Sequence, residues 1–160
     1  MTRNGLTALA ATAVLALTAA GCGGDDKKSD SGSNKQEAYT AFVAEVNTVC
    51  KDHDAEIDQV SGGLTGEAAN DAPIYDELIP KLEDAFSDFN ALDPPEELQA
   101  TFDVAKQQND QQLTLAKSAQ TTAEAGDQAE YDEVIAQLQQ LSKDSDLTAS
   151  KLGAAECISD

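Results

Sequence analysis

Apolar residues recur every three or four positions from residue 39 to residue 152, which is the period of an amphipathic α-helix. No run alternates between apolar and polar residues in the way that a half-buried strand requires. Breaks at residues 61–63, 93–97 and 126–127 divide the pattern into four stretches. Four helical stretches with short links predict an all-α fold, an antiparallel four-helix bundle. The predicted core residues are Tyr39, Phe42, Val43, Val46, Val49, Cys50, His53, Ile57, Val60, Ile74, Tyr75, Leu78, Ile79, Leu82, Phe86, Phe89, Leu92, Leu98, Phe102, Ala105, Leu113, Ala116, Ala119, Ala123, Tyr131, Val134, Ile135, Leu138, Leu141, Leu147 and Leu152.

Two of the predicted helices carry start signals. Asp71 is a predicted N-cap of the second helix, with Pro73 in the first turn. Asp93 is expected to cap the third helix, with Pro94 and Pro95 at its first helical positions.

Glycines mark the ends of the third and fourth helices. Gly126 is expected to end the third helix and Asp127 to cap the fourth, which Gly153 then terminates. The apolar face of the third helix is thin, because Asn109 and Gln112 interrupt it.

The charge is strongly acidic. The 160 residues include 30 Asp and Glu against 10 Lys and Arg, a formal net charge of −20. This length allows one domain. The acidity excludes a nucleic-acid-binding protein, which needs a basic surface against phosphates, and it argues against a surface that adheres to anionic lipid.

The N-terminus has the pattern of a secretory signal peptide. Arg3 precedes an apolar stretch, residues 6–17, that is too short to span a bilayer, and small residues follow it. We therefore expect residues 1–21 to be cleaved from an exported protein.

The last residues of this segment, Leu17-Thr18-Ala19-Ala20-Gly21-Cys22, resemble the lipobox of bacterial lipoproteins. Ala19 stands where Leu is commoner in that family. The resemblance implies cleavage before Cys22 and fatty acylation, palmitate included, of the Cys22 thiol through a diacylglycerol. Two acyl chains hold a protein stably on a membrane, so the expected location is the extracytoplasmic face of the cell membrane. A plain secretory signal with an incidental Cys22 is the alternative.

Residues 22–34 contain no apolar side chain after Cys22. Such a segment cannot bury enough surface to offset its ordering entropy, so we expect a disordered tether. The folded domain is predicted over residues 35–160.

The two other cysteines, Cys50 and Cys157, form an even pair in an exported domain, which predicts a disulfide. Because Gly153 is only four residues from Cys157, the bridge can close only if the early turns of the first helix overhang the bundle or if the fourth helix ends short of them. We predict the overhang. The alternative is a metal site in which Cys50, His53 and Cys157 are ligands.

His53 and Glu56 form an H-x-x-E step that resembles the metal-site motif of imelysin-like envelope proteins, although Lys51 stands where that motif has Gly. The simpler interpretation is that His53 packs on the apolar face while Asp52, Asp54, Glu56 and Asp58 face solvent. No catalytic motif is present, and neither an enzyme nor a cofactor is predicted.

The late segment Leu152-Gly153-Ala154-Ala155-Glu156-Cys157 also resembles the ending of small, acidic helical lipoproteins of actinobacteria. This resemblance implies the localisation and no activity. From the helical fold and the lack of catalytic motifs we expect a membrane-anchored, non-enzymatic binding or structural module of the cell envelope that acts through a helical face on an unidentified envelope protein. The alternative function is metal or small-solute binding through His53 and neighbouring carboxylates.

Overall fold

The computed structural model describes residues 30–159. The predicted signal peptide, Cys22 and the tether as far as residue 29 lie outside these residues. The described chain folds into four helices and no strand: α1 (Asp30–Ser61), α2 (Ala68–Asn90), α3 (Gln99–Ala125) and α4 (Gln128–Leu152). A short 3₁₀ turn, Ala155–Cys157, follows α4 and is called here the C-terminal turn. None of the described helices is both long and apolar enough to cross a membrane.

The helices pack in chain order, which confirms the predicted four-helix bundle. Helix α1 packs on α2, α2 on α3, and α3 on α4. Direct contacts between α1 and α4 are few, and the C-terminal turn touches both of these helices instead. The bundle is therefore closed on this side by the end of the chain.

The hydrophobic core consists of two clusters. The disulfide-side cluster centres on Phe42, Phe89 and Phe102, whose rings pack edge-on and stacked at centroid distances of 5.4 and 4.9 Å. The tyrosine-side cluster centres on Tyr75 and Tyr131, which meet edge-on at 6.3 Å. Each cluster draws side chains from α2, α3 and α4.

The overhang of α1 agrees with the prediction from the cysteine spacing. Residues 34–38 are exposed, whereas Phe42 is buried. Gly153 lies against Tyr39 and Val43, so α4 ends beside this part of α1 and not beside its first turns. The chain then reverses and runs back along α1 to Cys50.

The helix ends at glycine are as predicted. Gly126 and Gly153 both have positive φ, 69° and 78°, and follow the last residues of α3 and α4. Asp127 caps α4 by accepting a hydrogen bond from the backbone N–H of Glu130 at 3.1 Å.

Both predicted helix starts are wrong. Helix α2 begins at Ala68, so Asp71 and Pro73 lie inside it, because the Asp71 carboxylate reaches back to bind the preceding loop. Helix α3 begins only at Gln99. A proline disfavours helical backbone angles in the residue that precedes it, so Asp93 and Pro94 stay in the connection before α3.

Two further expectations need correction. The predicted tether extended to residue 34, but α1 already begins at Asp30. Extension of an existing helix avoids the cost of nucleation and adds one backbone hydrogen bond for each residue fixed. Leu147 was a predicted core residue and is 62% exposed. The buried positions near it are Thr148, Ala149 and Leu152, which turns Leu147 to solvent.

Candidate functional site

A cavity of about 200 Å³ lies between the two hydrophobic clusters. All four helices and the C-terminal segment, residues 153–159, contribute to its wall. The cavity reaches the surface at Asp54 on α1 and at Ile158 and Ser159 of the C-terminal segment, which are exposed. Ligand sites of helical bundles commonly lie between facing helices in this way.

One part of the cavity wall is apolar. Its residues come from the inner faces of α1, α2 and α4, and those with large side chains are Val49, Ile57, Phe86, Phe89 and Leu152. Most of them belong to the apolar pattern that predicts the core. At this level of the bundle the side chains opposite these apolar residues are polar or small, so they do not fill the space between the helices.

The other part of the wall is polar and comes mainly from α3 and α4. Gln112 Nε2 donates a hydrogen bond to Ser145 Oγ at 3.0 Å, which links the two helices. One turn before it, the Oε1 atom of Gln108 is buried, and no group in residues 30–159 donates a hydrogen bond to it. Asn109 and Ser142 complete this polar side.

The disulfide predicted between Cys50 and Cys157 is present and forms the end wall of the cavity. It fixes the C-terminal segment against α1, where the Glu156 backbone N–H also donates to Asn47 Oδ1 at 2.9 Å. The Ser159 backbone N–H donates to Asp146 Oδ1 of α4 at 3.1 Å. The segment is thus attached to both helices that it separates.

The same bridge overturns the metal site that combined Cys50 and Cys157 with His53. Bonded sulfurs are not thiolates, and it is the thiolate that binds zinc. The described residues contain no group of three or more His, Cys, Asp or Glu side chains arranged to hold a metal ion.

His53 is half-buried between the cavity and the surface, with 26% of its side chain exposed. Its Nε2 atom pairs with Asp88 Oδ2 of α2 at 2.9 Å. Glu56, its predicted companion, pairs instead with Lys81 Nζ at 2.7 Å. The hydrogen bond from this ammonium group, with its charge, lowers the pKa of the Glu56 carboxyl. His53 and Glu56 are therefore engaged by two different partners on α2.

A second polar centre lies inside the tyrosine-side cluster. Asp71 is fully buried, and its carboxylate accepts hydrogen bonds from Thr65 N, Thr65 Oγ1, Gly66 N and Tyr131 Oη at 2.7–2.9 Å. Burial raises the pKa of this carboxyl, but the hydrogen bonds together lower it below the ordinary value. Burial likewise raises the pKa of the Tyr75 and Tyr131 hydroxyls. Asp71 thus ties the loop before α2 to α4.

Sequence reasoning missed the cavity, although a signal for it was present. Asn109 and Gln112 interrupt the apolar face of α3, and both line the cavity. A polar residue at a core-facing position needs a partner or space for one. Here the interruption marks the level at which the two clusters separate.

Comparisons with protein-family models, with curated proteins and with solved structures find no match for this chain.

Proposed function

We propose that this protein is a lipid-anchored, non-enzymatic binding module at the extracytoplasmic face of a cell membrane. The lipobox-like residues 17–22 support the anchor, and the bridge between Cys50 and Cys157 supports an oxidising compartment. The observation that carries the binding role is the cavity between the two clusters, which is open to solvent and lined by the four helices.

The cavity favours binding over a purely structural role for a physical reason. Apolar wall residues that face an open space instead of packed neighbours forfeit van der Waals contacts, and a buried acceptor such as Gln108 Oε1 costs free energy when it has no donor. A bound solute would recover the packing contacts. A domain selected for stability alone would gain by filling the space with larger side chains at small positions such as Ala85 and Ala105.

The anchor is tested by feeding an alkyne-tagged fatty acid to a bacterial host that expresses the full chain. We expect a labelled protein in the membrane fraction, with no label on the Cys22→Ala variant. An unlabelled, freely soluble wild-type protein would overturn the anchor.

The binding role is tested on the exported protein with a library of small solutes and thermal unfolding. A solute that raises Tm in a saturable way supports it. Turnover of an envelope substrate by the purified protein would contradict the non-enzymatic part.

The alternative function, solute binding through His53, has one observation in its favour, since His53 lines the cavity. If this alternative is correct, His53→Ala abolishes binding of the solute that the thermal-unfolding screen identifies. In its metal form, elemental analysis finds a stoichiometric metal in the wild type and none in His53→Ala. The Asp52→Ala variant is the control, because Asp52 is exposed and lies outside the cavity wall.

A further inference from the structure

We propose that the cavity binds a small organic cation, an ammonium group carried on an apolar body. This inference rests on the binding role proposed above and assigns its ligand class. Three features of the wall carry it: its size, its charge and one unpaired acceptor on a lining residue.

The volume of the cavity suits the enclosed part of a ligand that is a few atoms larger than a single ring. A dry cavity of about 150 Å³ in a protein core accommodates benzene. The cavity here is about 200 Å³. Phe86 and Phe89 lie in its wall and suit an aromatic or aliphatic body, and aromatic faces also attract ammonium groups.

The charge of the wall discriminates against anions. Asp54, Asp146 and Glu156 line the cavity, and none of the lining residues within 30–159 is Lys or Arg. His53 is the other titratable group in the wall, and its Nε2 atom is already paired with Asp88. The chain as a whole has a formal charge of −20, so its field adds to the same preference. A carboxylate or phosphate ligand would enter against this field without a basic partner.

Gln108 lines the cavity and carries an unpaired acceptor, Oε1, that a rotation of its side chain would offer to the polar end of the ligand. Gln108 Oε1 faces no donor from residues 30–159, whereas the neighbouring Gln112 is already bonded to Ser145. This oxygen has almost no accessible surface, so an ammonium N–H can donate to it only after the Gln108 side chain rotates toward the cavity. A hydrogen bond to a charged donor is stronger than one between neutral groups. A carboxylate ligand has no proton to offer there.

The test uses three probes that share one shape: benzylamine, which is protonated at pH 7, benzyl alcohol and benzoate. The full chain is exported with its disulfide intact, purified in detergent and titrated by calorimetry against detergent-matched blanks. We expect saturable binding of one benzylammonium ion per chain, at least tenfold tighter than benzyl alcohol, and no binding of benzoate. Benzoate binding as tightly as benzylamine, or no binding of any probe, would overturn the proposal.

Two pairs of variants locate the site. Gln108→Leu removes the acceptor at similar volume, and Gln107→Leu is the control on the exposed face of the same helix. Asp54→Asn removes an exposed carboxylate from the mouth, and Asp52→Asn removes the same charge from α1 outside the cavity wall. We expect Gln108→Leu and Asp54→Asn each to weaken benzylamine binding at least threefold, and the controls to stay within twofold of the wild type.

The Asp54 pair remains informative even if Gln108→Leu alters the fold, because Asp54 is exposed and makes no hydrogen bond or salt bridge within residues 30–159. Binding that neither Gln108→Leu nor Asp54→Asn changes would place the ligand elsewhere and overturn the proposal. An acylated protein that binds solutes but none of these probes refutes the ligand class and leaves the proposed function standing. Failure of acylation refutes the anchor and leaves the ligand class standing.

Discussion

The hydroxyl of Tyr131 on α4 donates a hydrogen bond to the Oδ2 atom of Asp71 on α2, at 2.7 Å, inside the bundle. Both residues are buried, and the Tyr131 oxygen also lies 3.2 Å from that of Tyr75. Since Asp71 binds the loop before α2 as well, one carboxylate orients two helices and a connection.

Tyr131→Phe removes this hydrogen bond without changing the shape of the ring. We expect it to lower the free energy of unfolding by about 1.5–3 kcal/mol, the range for a hydrogen bond to a charged group. Urea titration followed by circular dichroism measures the change. Tyr39→Phe is the control, because Tyr39 Oη makes no hydrogen bond within residues 30–159, and it should stay within about 0.5 kcal/mol of wild type. Equal losses in both variants would contradict the role of Asp71.

The stability that Asp71 contributes depends on pH with a definite sign. Its folded pKa lies below the ordinary value of 3.8, so its ionised form stabilises the fold at neutral pH. As pH falls below 3.8, the unfolded chain takes up the proton first, and the contribution is lost as pH approaches the folded pKa. The difference in urea stability between wild type and Asp71→Asn should therefore be full at pH 6–7 and shrink at acidic pH.

This comparison between two proteins removes the effect of the many other carboxylates, which titrate in both. Among them, Glu56 also has a lowered pKa but is exposed, so its pair with Lys81 contributes little. A difference that stays constant down to pH 3 would show that Asp71 acts through packing and not through its charge.

Loss of the Cys50–Cys157 bridge should destabilise the disulfide-side cluster first. The bridge closes a loop with a sequence separation of 107, for which loss of the cross-link costs about 2–5 kcal/mol. We expect Cys50→Ser, Cys157→Ser and the double variant to lose the same amount. In hydrogen exchange, protection should fall around Phe42 and Leu152 before it falls around Tyr75. Uniform loss of protection would indicate that the two clusters unfold as one unit.

The two helix-ending glycines provide a matched pair. Both have positive φ, where alanine costs about 1–2 kcal/mol. A Cβ at Gly126 would meet no atom of residues 30–159 within 4 Å, whereas one at Gly153 would lie 2.9 Å from Tyr39 Oη. Gly153→Ala should therefore lower the urea midpoint more than Gly126→Ala does. The additional fall in the urea midpoint should disappear in the double variant Tyr39→Phe/Gly153→Ala, because the hydroxyl oxygen is gone. If the two substitutions change the midpoint additively, the clash does not contribute.

The sequence predicts the architecture well because the helix period recurs over nearly every turn of the four stretches. The pairing of Cys50 with Cys157 follows because these two cysteines remain once Cys22 is assigned to acylation. The helix ends at Gly126 and Gly153 follow from a backbone angle that glycine adopts most readily. The surface positions Asp52, Asp54, Glu56 and Asp58 are exposed as predicted. Each of these features depends on local pattern or on composition.

The features that the sequence did not predict depend on contacts between distant residues. Asp71 has the residue type of a helix cap, and only the loop at Thr65 and Gly66 and the hydroxyl of Tyr131 explain why it is buried within α2. The cavity requires polar or small residues of three helices to meet at one level. A pattern read along one helix at a time, such as the interruption at Asn109, cannot establish that meeting.

The bridge between α1 and the C-terminal turn also determines how the chain responds to proteolysis. All three connections between the helices, residues 62–67, 91–98 and 126–127, lie between Cys50 and Cys157. A single cut in any of them produces two peptides that remain covalently joined. Such a nicked molecule separates only after a reductant has broken the cross-link.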